Sequence, residues 1–166
     1  CTLIQKGLGE YYFLCKAVYF DKPAQSNWYF TGMPDTWHQD VTIHVEEKKE
    51  TAGFSGWTQM PGAVSVKPAE EYLKNIYILR IHLDKTTAEN GALQVMQNSH
   101  YCILNDHEVQ ALCQEKKSVL CEVEAGGIHL MKPLTLHVSE KINNDQPRRI
   151  IHLEFTSMNL PSVMST

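Results

Sequence analysis

The sequence lacks several features that would assign it to a familiar class of protein. It contains no run approaching the roughly 18 apolar residues that a membrane-spanning helix requires. Basic residues are not in excess, and the net charge of −4 argues against a nucleic-acid-binding surface. With 43% hydrophobic and 20% charged residues, the composition is not that of an intrinsically disordered chain. A length of 166 residues fits one globular domain with its own core.

Paired cysteines are also absent. The five cysteines are odd in number, irregularly spaced and form no CxxC motif: Cys1, Cys15, Cys102, Cys113 and Cys121. A disulfide framework of the kind found in small secreted proteins is therefore not predicted. We expect reduced thiols and a cytoplasmic location.

Short β-type runs separated by turn residues dominate the chain. The predicted strands are Phe13–Phe20, Trp37–Val45, Tyr77–Asp84, Ala92–Met96, Val119–Val123, Ile128–Met131, Pro133–His137 and Arg148–Phe155. Lys48–Gly62 is polar and contains glycine, which predicts a loop. Glu89-Asn90-Gly91 predicts a hairpin turn that pairs Tyr77–Asp84 with Ala92–Met96, because Asn-Gly tolerates positive φ.

Helix signals are few. Asp106–Lys116 is a predicted helix with Asn105 or Asp106 as its N-cap, and Pro68–Leu73 predicts a single helical turn. About eight short strands with little helix favour an all-β sandwich or barrel, for which the jelly roll is the eight-stranded candidate. Ligands bind in the mouth of such a fold.

His38 and Asp40 are the first candidate metal ligands. In a strand, side chains at i and i+2 share a face, so an imidazole and a carboxylate would lie side by side. One further histidine would complete the two-histidine, one-carboxylate facial triad of non-haem iron(II) oxygenases. A His-Xaa-Asp motif alone is common by chance, so the rest of the chain must supply the support.

The distal half contains a second polar group of residues. Alternation places His137 and Ser139 on one strand face, and Arg148 follows eleven positions after His137 at the start of the last strand. An arginine there can bind a carboxylate bidentately, with Ser139 donating a second hydrogen bond. Arg149 is the rival, but alternation points only one of the two inward, and the spacing favours Arg148.

Several motifs together resemble the phytanoyl-CoA dioxygenase (PhyH) family of Fe(II)/2-oxoglutarate-dependent oxygenases. They are His38-Gln39-Asp40, Arg80–Asp84, Glu89–Leu93, Asn98-Ser99-His100, His137-Val138-Ser139 and Arg148-Arg149, preceded by Phe20–Pro23 and Asn27-Trp28. The order and spacing of these motifs agree from about Tyr19 to Phe155, which is far more specific than any single motif.

The resemblance implies a double-stranded β-helix, or jelly roll, with Fe(II) held by His38, Asp40 and His137. It implies 2-oxoglutarate as cosubstrate, bound by Arg148 with help from Ser139, and O2 as oxidant. The implied reaction hydroxylates a small molecule while 2-oxoglutarate is decarboxylated to succinate and CO2. Asp40 disfavours halogenation, because related halogenases carry a small residue in place of this carboxylate.

The chain departs from the family pattern in three places. It has Gln97-Asn98-Ser99-His100 where family members usually read Pro-Gly-Ser-His, and the segment from Trp28 to His38 is longer than usual. The helical N-terminal region common in the family is largely absent. We therefore expect residues 1–166 to form a single jelly-roll domain that lacks part of that N-terminal region.

Other residues have two readings. Trp57 and His152 are candidates for the substrate pocket, although Trp57 could be a packing anchor and His152 could pair with Glu154. Arg80 and Asp84 are expected to form a structural pair. The remaining histidines are expected to be satisfied surface or core residues: His44, His82, His100, His107 and His129.

Two other functions compete with a hydroxylase. The first is a non-catalytic jelly roll that binds a ligand, which the intact set of candidate ligands disfavours. The second is a cupin-type metal enzyme without 2-oxoglutarate, which would typically offer more histidines and would not need Arg148 at this spacing. Formation of succinate separates both from the leading prediction.

Overall fold

The computed structural model describes residues 6–9, 11–21, 37–140 and 145–159. Ten strands lie in these ranges: β1 Phe13–Asp21, β2 Ile43–Val45, β3 Ser55–Met60, β4 Ala63–Lys67, β5 Tyr77–His82, β6 Leu93–Val95, β7 Val119–Cys121, β8 Ile128–Met131, β9 His137–Ser139 and β10 Arg149–Thr156. Residues 6–8 are helical, and the helices further along the chain are α1 Glu70–Asn75, α2 Asp106–Glu115 and a short 3-10 helix at Ala88–Asn90.

The strands form three antiparallel sheets. The largest has the order β1-β10-β5-β8, and two three-stranded sheets have the orders β2-β4-β3 and β7-β6-β9. An isolated bridge between His38 and His137 attaches the segment that contains His38 to the β9 edge of the last sheet. The β7-β6-β9 sheet therefore gains a fourth member, and it lies alongside a sheet of four strands in the manner of a jelly roll.

One apolar core joins all three sheets. Its buried members include Val45 from β2, Val66 from β4, Ile78 from β5, Leu93 from β6 and Met131 from β8. Burying this apolar surface is the main favourable contribution to folding. The prediction of an all-β jelly roll with few short helices is confirmed.

Alternation along β10 follows the sequence prediction closely. Arg148, Ile150, His152 and Glu154 are buried, whereas Arg149 is exposed. The strand pairs with β1 on one side and β5 on the other, so its register is fixed from both sides. The even-numbered side chains of β10 therefore face the interior together with those of β5.

The predicted strand Trp37–Val45 is wrong in its first half. Only Ile43–Val45 is a regular strand. The backbone N–H groups of His38 and Asp40 donate instead to the carbonyls of His137 and Pro133, at 3.0 and 2.9 Å. Two different partner segments therefore hold this stretch, where a regular strand would follow one neighbour.

The predicted loop Lys48–Gly62 is also wrong. Ser55–Met60 is strand β3, which forms a hairpin with β4 through Gly62 at φ +75°. Thr58 and Gln59 are exposed on the outer strand of this sheet. Polar residues mark an edge strand with a solvated face as readily as a loop, which explains the error.

The hairpin predicted at Glu89-Asn90-Gly91 does not form. Residues Ala88–Asn90 are a 3-10 helix, and Gly91 follows it in the left-handed conformation at φ +81°. The Asn90 side chain accepts from the backbone N–H of Thr87 at 2.6 Å and donates to the carbonyl of Lys85 at 2.8 Å. Strands β5 and β6 consequently enter different sheets.

The helix prediction is confirmed. Helix α2 begins at a capping box in which Asn105 accepts from the backbone N–H of Glu108 at 3.0 Å, while the Glu108 carboxylate accepts from that of Asn105 at 2.8 Å. The predicted turn Pro68–Leu73 corresponds to α1. No helix in the described part of the chain is long and apolar enough to span a membrane.

Some predictions concern residues that the structure does not describe. The turn at 22–23, the Asn27-Trp28 lead-in, the longer segment up to residue 36 and Cys1 lie outside the described residues. The four cysteines inside the described ranges are free thiols: Cys15, Cys102, Cys113 and Cys121.

Candidate metal centre

Three side chains meet at the β9 edge of the β7-β6-β9 sheet, two from one short segment and one from about a hundred residues further along the chain. One ligand atom from each of His38, Asp40 and His137 lies within 4.8 Å of the others. The rings of the two histidines have centroids 4.3 Å apart, and Nε2 of His137 is 3.9 Å from Oδ2 of Asp40. The structure therefore brings together the three residues predicted as metal ligands.

His137 is oriented by a backbone carbonyl. Its Nδ1 lies 2.8 Å from the carbonyl oxygen of Thr135, so Nδ1–H donates and Nε2 carries the lone pair toward Asp40. The His137 side chain is 6% exposed. Burial lowers its pKa below the ordinary value, against an opposing contribution from Asp40. A neutral imidazole is the form that binds a metal ion.

Backbone hydrogen bonds fix the spacing of the three residues. His38 and His137 exchange reciprocal N–H to carbonyl bonds of 3.0 and 2.9 Å, and Asp40 N–H donates to Pro133 at 2.9 Å. Each bond joins the segment that contains His38 and Asp40 to strand β9 or to the turn before it. The positions of the side chains consequently depend on the pairing of two chain segments about a hundred residues apart.

Gln39 lies between the two candidate ligands and points to the opposite side. Its Nε2 donates to the carbonyls of Leu134 at 2.6 Å, Cys102 at 3.0 Å and Ser99 at 3.3 Å. Its Oε1 accepts from the backbone N–H of Leu104 at 2.8 Å. One side chain thereby joins the His38 segment to the loop after β6 and to the turn before β9. Alternation predicted the direction of Gln39 but not this role.

Arg148 and Ser139 meet beside Gly91. Nη1 of Arg148 donates to Ser139 Oγ at 2.8 Å and also to the carbonyl of Gly91, to which Ser139 Oγ donates at 2.9 Å. Arg148 is 8% exposed, and burial lowers its pKa to about 10, so it remains a cation at neutral pH. Its Nε is buried without a hydrogen-bond partner among the described residues. This guanidinium therefore has capacity for an anion.

Arg149 behaves differently from its neighbour. It is exposed and forms a bidentate pair with Asp84, with N–O distances of 2.9 and 2.7 Å. The expectation that Asp84 pairs with Arg80 is wrong, because Asp84 lies on the outer side of the sheet with Arg149. Arg80 points inward and is buried.

The two candidate pocket residues are found in different parts of the fold. Trp57 lies on β3, is packed against the apolar core, and has a buried Nε1 without a hydrogen-bond partner among the described residues. His152 faces the interior of the four-stranded sheet, and its Nε2 is 3.1 Å from the Glu154 carboxylate. The predicted pair with Glu154 therefore forms, while Nδ1 of His152 stays without a partner in the described structure.

The donor set fits a first-row transition metal that keeps open positions. Two imidazoles and one carboxylate supply one ligand atom each and leave room for further ligands, as in the facial triad of non-haem iron(II) sites. The buried arginine and serine lie toward the end of the same strand, β9. The fold and the site thus define a jelly-roll protein with a candidate metal centre and a buried arginine whose Nε has no hydrogen-bond partner among the described residues.

The sequence model of the family "Phytanoyl-CoA dioxygenase (PhyH)" matches residues 12–150. The chain belongs to this family. No curated protein sequence matches the chain.

Solved structures with the same fold are distant in sequence. EvdMO1 is 21% identical with a TM-score of 0.60, covering 93% of this chain and 29% of its own. EctD from S. alaskensis with bound Fe is 16% identical with a TM-score of 0.62, covering 93% and 48%. The same protein with 2-oxoglutarate and 5-hydroxyectoine is 18% identical with a TM-score of 0.61, covering 93% and 47%. The chain therefore spans about half the length of these proteins or less.

Proposed function

We propose that this chain is the catalytic core of an Fe(II)/2-oxoglutarate-dependent oxygenase that hydroxylates a small molecule. The observation that carries the proposal is the convergence of His38, Asp40 and His137 within 4.8 Å, on the side of β9 where Arg148 meets Ser139. Family membership and the structural similarity to EctD with bound Fe and with 2-oxoglutarate support it.

In this proposal, His38, Asp40 and His137 hold Fe(II), and Arg148 with Ser139 holds the distal carboxylate of 2-oxoglutarate. The bound metal supplies the activation of O2 that couples decarboxylation of 2-oxoglutarate, to succinate and CO2, with hydroxylation of the substrate. The protein contributes position and charge. The Thr135 carbonyl keeps Nδ1 of His137 protonated, so that Nε2 is presented as a donor atom.

Arg148 suits the cosubstrate because its guanidinium is planar and stays charged. A bidentate pair with a carboxylate fixes both the position and the orientation of the anion. The Gly91 carbonyl and the Ser139 hydroxyl hold Nη1 from one side and restrict the directions in which the arginine can point. The cosubstrate would then be held in one orientation by these residues.

Binding measurements on two matched variants test the assignment of the site. We expect one Fe(II) per chain and metal-dependent binding of 2-oxoglutarate in the wild-type protein. Arg148→Met should weaken 2-oxoglutarate by tenfold or more while leaving the metal in place. Arg149→Met removes an arginine next to it in sequence but on the exposed face, and should leave both affinities unchanged. Equal losses in the two variants would overturn the role of Arg148, and absence of metal binding would overturn the proposed function.

A further inference from the structure

Arg80 is a buried cation for which the described residues provide no anion. It lies in the middle of β5, is 8% exposed, and forms no hydrogen bond or salt bridge with any described residue. Its Nε is buried without a hydrogen-bond partner in the described part of the chain. A buried charge is normally paired, because the desolvation of an isolated ion is strongly unfavourable. An unpaired guanidinium at the centre of a sheet therefore indicates a ligand.

The register of the strands places Arg80 between two histidines. Its backbone is opposite His152 of β10 on one side and His129 of β8 on the other. In an antiparallel sheet, residues directly opposite each other project from the same face. His152 has a buried Nδ1 without a partner in the described structure. The interior face thus carries a row of three nitrogen-rich side chains, His152, Arg80 and His129, named here the Arg80 row.

The Arg80 row adjoins the candidate metal centre. Asp40 raises the pKa of Arg80, and Arg80 in turn contributes to lowering the pKa values of His129 and His137. Such mutual effects require these groups to lie near one another. Asp40 does not neutralise Arg80, because no salt bridge joins them and its carboxylate is one of the three candidate metal ligands.

Open space lies at one end of this row. A cavity of about 390 Å³ between β6 and β8 is lined by residues that include Val95, His129 and Thr135. Thr135 is the residue whose carbonyl orients His137. A volume of this size is within the range of small-molecule sites. The row is therefore bordered by a space that a small ligand can occupy.

The other interior cations already have partners. Lys16 pairs with Glu154 at 2.7 Å, and Arg148 bonds to Ser139 and Gly91. Among the described residues this leaves two buried positive charges without a counter-ion, that of Arg148, which the proposed function assigns to the cosubstrate, and that of Arg80. Burial lowers the pKa of Arg80 to about 10, so the charge persists at neutral pH. The single charge of Arg80 would be balanced by a group with one negative charge. A carboxylate is the best match, because it can accept two parallel hydrogen bonds from a planar guanidinium.

We propose that Arg80 binds a carboxylate of the substrate, and that the enzyme therefore acts on a small carboxylic acid. This inference rests on the proposed function, since it places the substrate beside the same metal centre. It makes Arg80 a substrate-binding residue distinct from Arg148, which holds the cosubstrate. An uncharged analogue would leave the guanidinium unpaired and should be discriminated against.

The test uses three monocarboxylates as probes, propanoate, hexanoate and benzoate, each beside its uncharged carboxamide. Binding is measured by calorimetry on protein carrying Zn(II), a redox-inert substitute, and saturated with 2-oxoglutarate so that Arg148 is occupied. At least one acid should bind tenfold or more tightly than its amide. Arg80→Met should abolish that preference, Arg80→Lys should retain part of it, and Arg149→Met should retain all of it.

The ligand-free variants give a second readout. Because the described residues give buried Arg80 no counter-ion, Arg80→Met should raise the Tm by about 2 °C or more. A lowered Tm together with an unchanged preference for acids would show a structural arginine and overturn the proposal. So would equal binding of acids and amides by the wild-type protein.

The same measurements distinguish failure of the Arg80 assignment from failure of the proposed function. If Arg80→Met weakens 2-oxoglutarate as strongly as Arg148→Met does, Arg80 serves the cosubstrate and the substrate assignment is wrong. If the wild-type protein binds neither Fe(II) nor 2-oxoglutarate, the proposed function fails. The preference of metal-free protein for acids over amides is then measured on its own, and its loss in Arg80→Met would still support an anion site.

Discussion

The two sheets that border the site achieve their geometry in different ways. Strands β6, β7 and β9 are three residues each, and the candidate ligands beside them are positioned by one isolated bridge to β9 and by hydrogen bonds to turns and loops. The four-stranded sheet contains β1 of nine residues and β10 of eight. Its interior side chains, including those of Arg80 and His152, are positioned by strand register.

This difference predicts how each region responds to mutation. In the sheet with short strands, a change in one turn contact should move a ligand, because few other contacts hold it. In the long sheet, backbone pairing survives the loss of a side chain, so substitutions should remove a charge without moving its neighbours. Substitutions in the two regions test that contrast, beginning with the largest expected effect.

Removal of a ligand should have the largest effect. His137→Ala deletes the most buried of the three candidate donors and should weaken metal affinity by about 100-fold or more, since even outer-shell partners of a metal ligand contribute about 10–100-fold. Titration with Fe(II) under anaerobic conditions measures this loss. His107→Ala, at an exposed position of α2, is the control and should bind metal as the wild type does.

Substitution of Gly91 tests the close contact between this residue and the Arg148 guanidinium. A Cβ at this position would lie 2.9 Å from the Glu140 carbonyl and 3.0 Å from Nη1 of Arg148. Gly91→Ala should therefore displace the arginine and weaken 2-oxoglutarate about tenfold, or ~1.4 kcal/mol. Gly62→Ala is a matched control, because Gly62 also has positive φ, but a Cβ added there would meet no atom within 4 Å. Equal affinities in the two variants would show that Gly91 does not support Arg148.

Gln39 tests the turn contacts directly. Gln39→Ala leaves the Leu104 N–H and three carbonyls without this partner, which should lower the free energy of unfolding by about 1–3 kcal/mol. Because the same bonds hold the His38 segment, metal affinity should fall several-fold as well. Gln59→Ala removes a glutamine that bonds only within the β3–β4 hairpin and should have little effect on metal binding. A loss of stability with no change in metal affinity would contradict the positioning role.

Histidines of the four-stranded sheet should make the free energy of unfolding depend on pH. Burial lowers the pKa of His82 and of His129 to about 4, from an ordinary value of 6.5. Above pH 6.5 such a histidine is neutral in both the folded and the unfolded chain. As pH falls from 6.5 toward 4, the unfolded chain binds the proton first, so the free energy of unfolding decreases. Denaturant unfolding should therefore show declining stability over this window. His129→Leu should make the decline shallower, and an unchanged slope would contradict the burial of this residue.

The same contrast explains what the sequence could predict. Alternation along β10 correctly separated buried Arg148 from exposed Arg149, because a long strand paired on both sides follows a period of two. The helix α2 was also predicted correctly, because a capping residue at Asn105 or Asp106 marks where it begins. The spacing of the motifs was enough to bring three candidate ligands together.

Contacts made by turns could not be predicted from the sequence. Asn90-Gly91 has the composition of a hairpin turn, but the Asn90 side chain closes a 3-10 helix and Gly91 packs under Arg148. Alternation placed Gln39 on the face opposite the candidate ligands, but it did not identify the three carbonyls to which its amide donates. Arg80 was expected to pair with Asp84, but Asp84 lies beyond the end of β5 and pairs with Arg149. Local patterns do not specify such partners.

The most direct test of the central claim is succinate formation. Purified protein is given Fe(II), ascorbate and 2-oxoglutarate, and succinate is measured against an iron-free sample and against His137→Ala. The proposed function predicts slow, iron-dependent production of succinate by the wild type that is absent from both controls and rises when a suitable carboxylic acid is added. Succinate at the level of the iron-free control, with and without added acids, would contradict it.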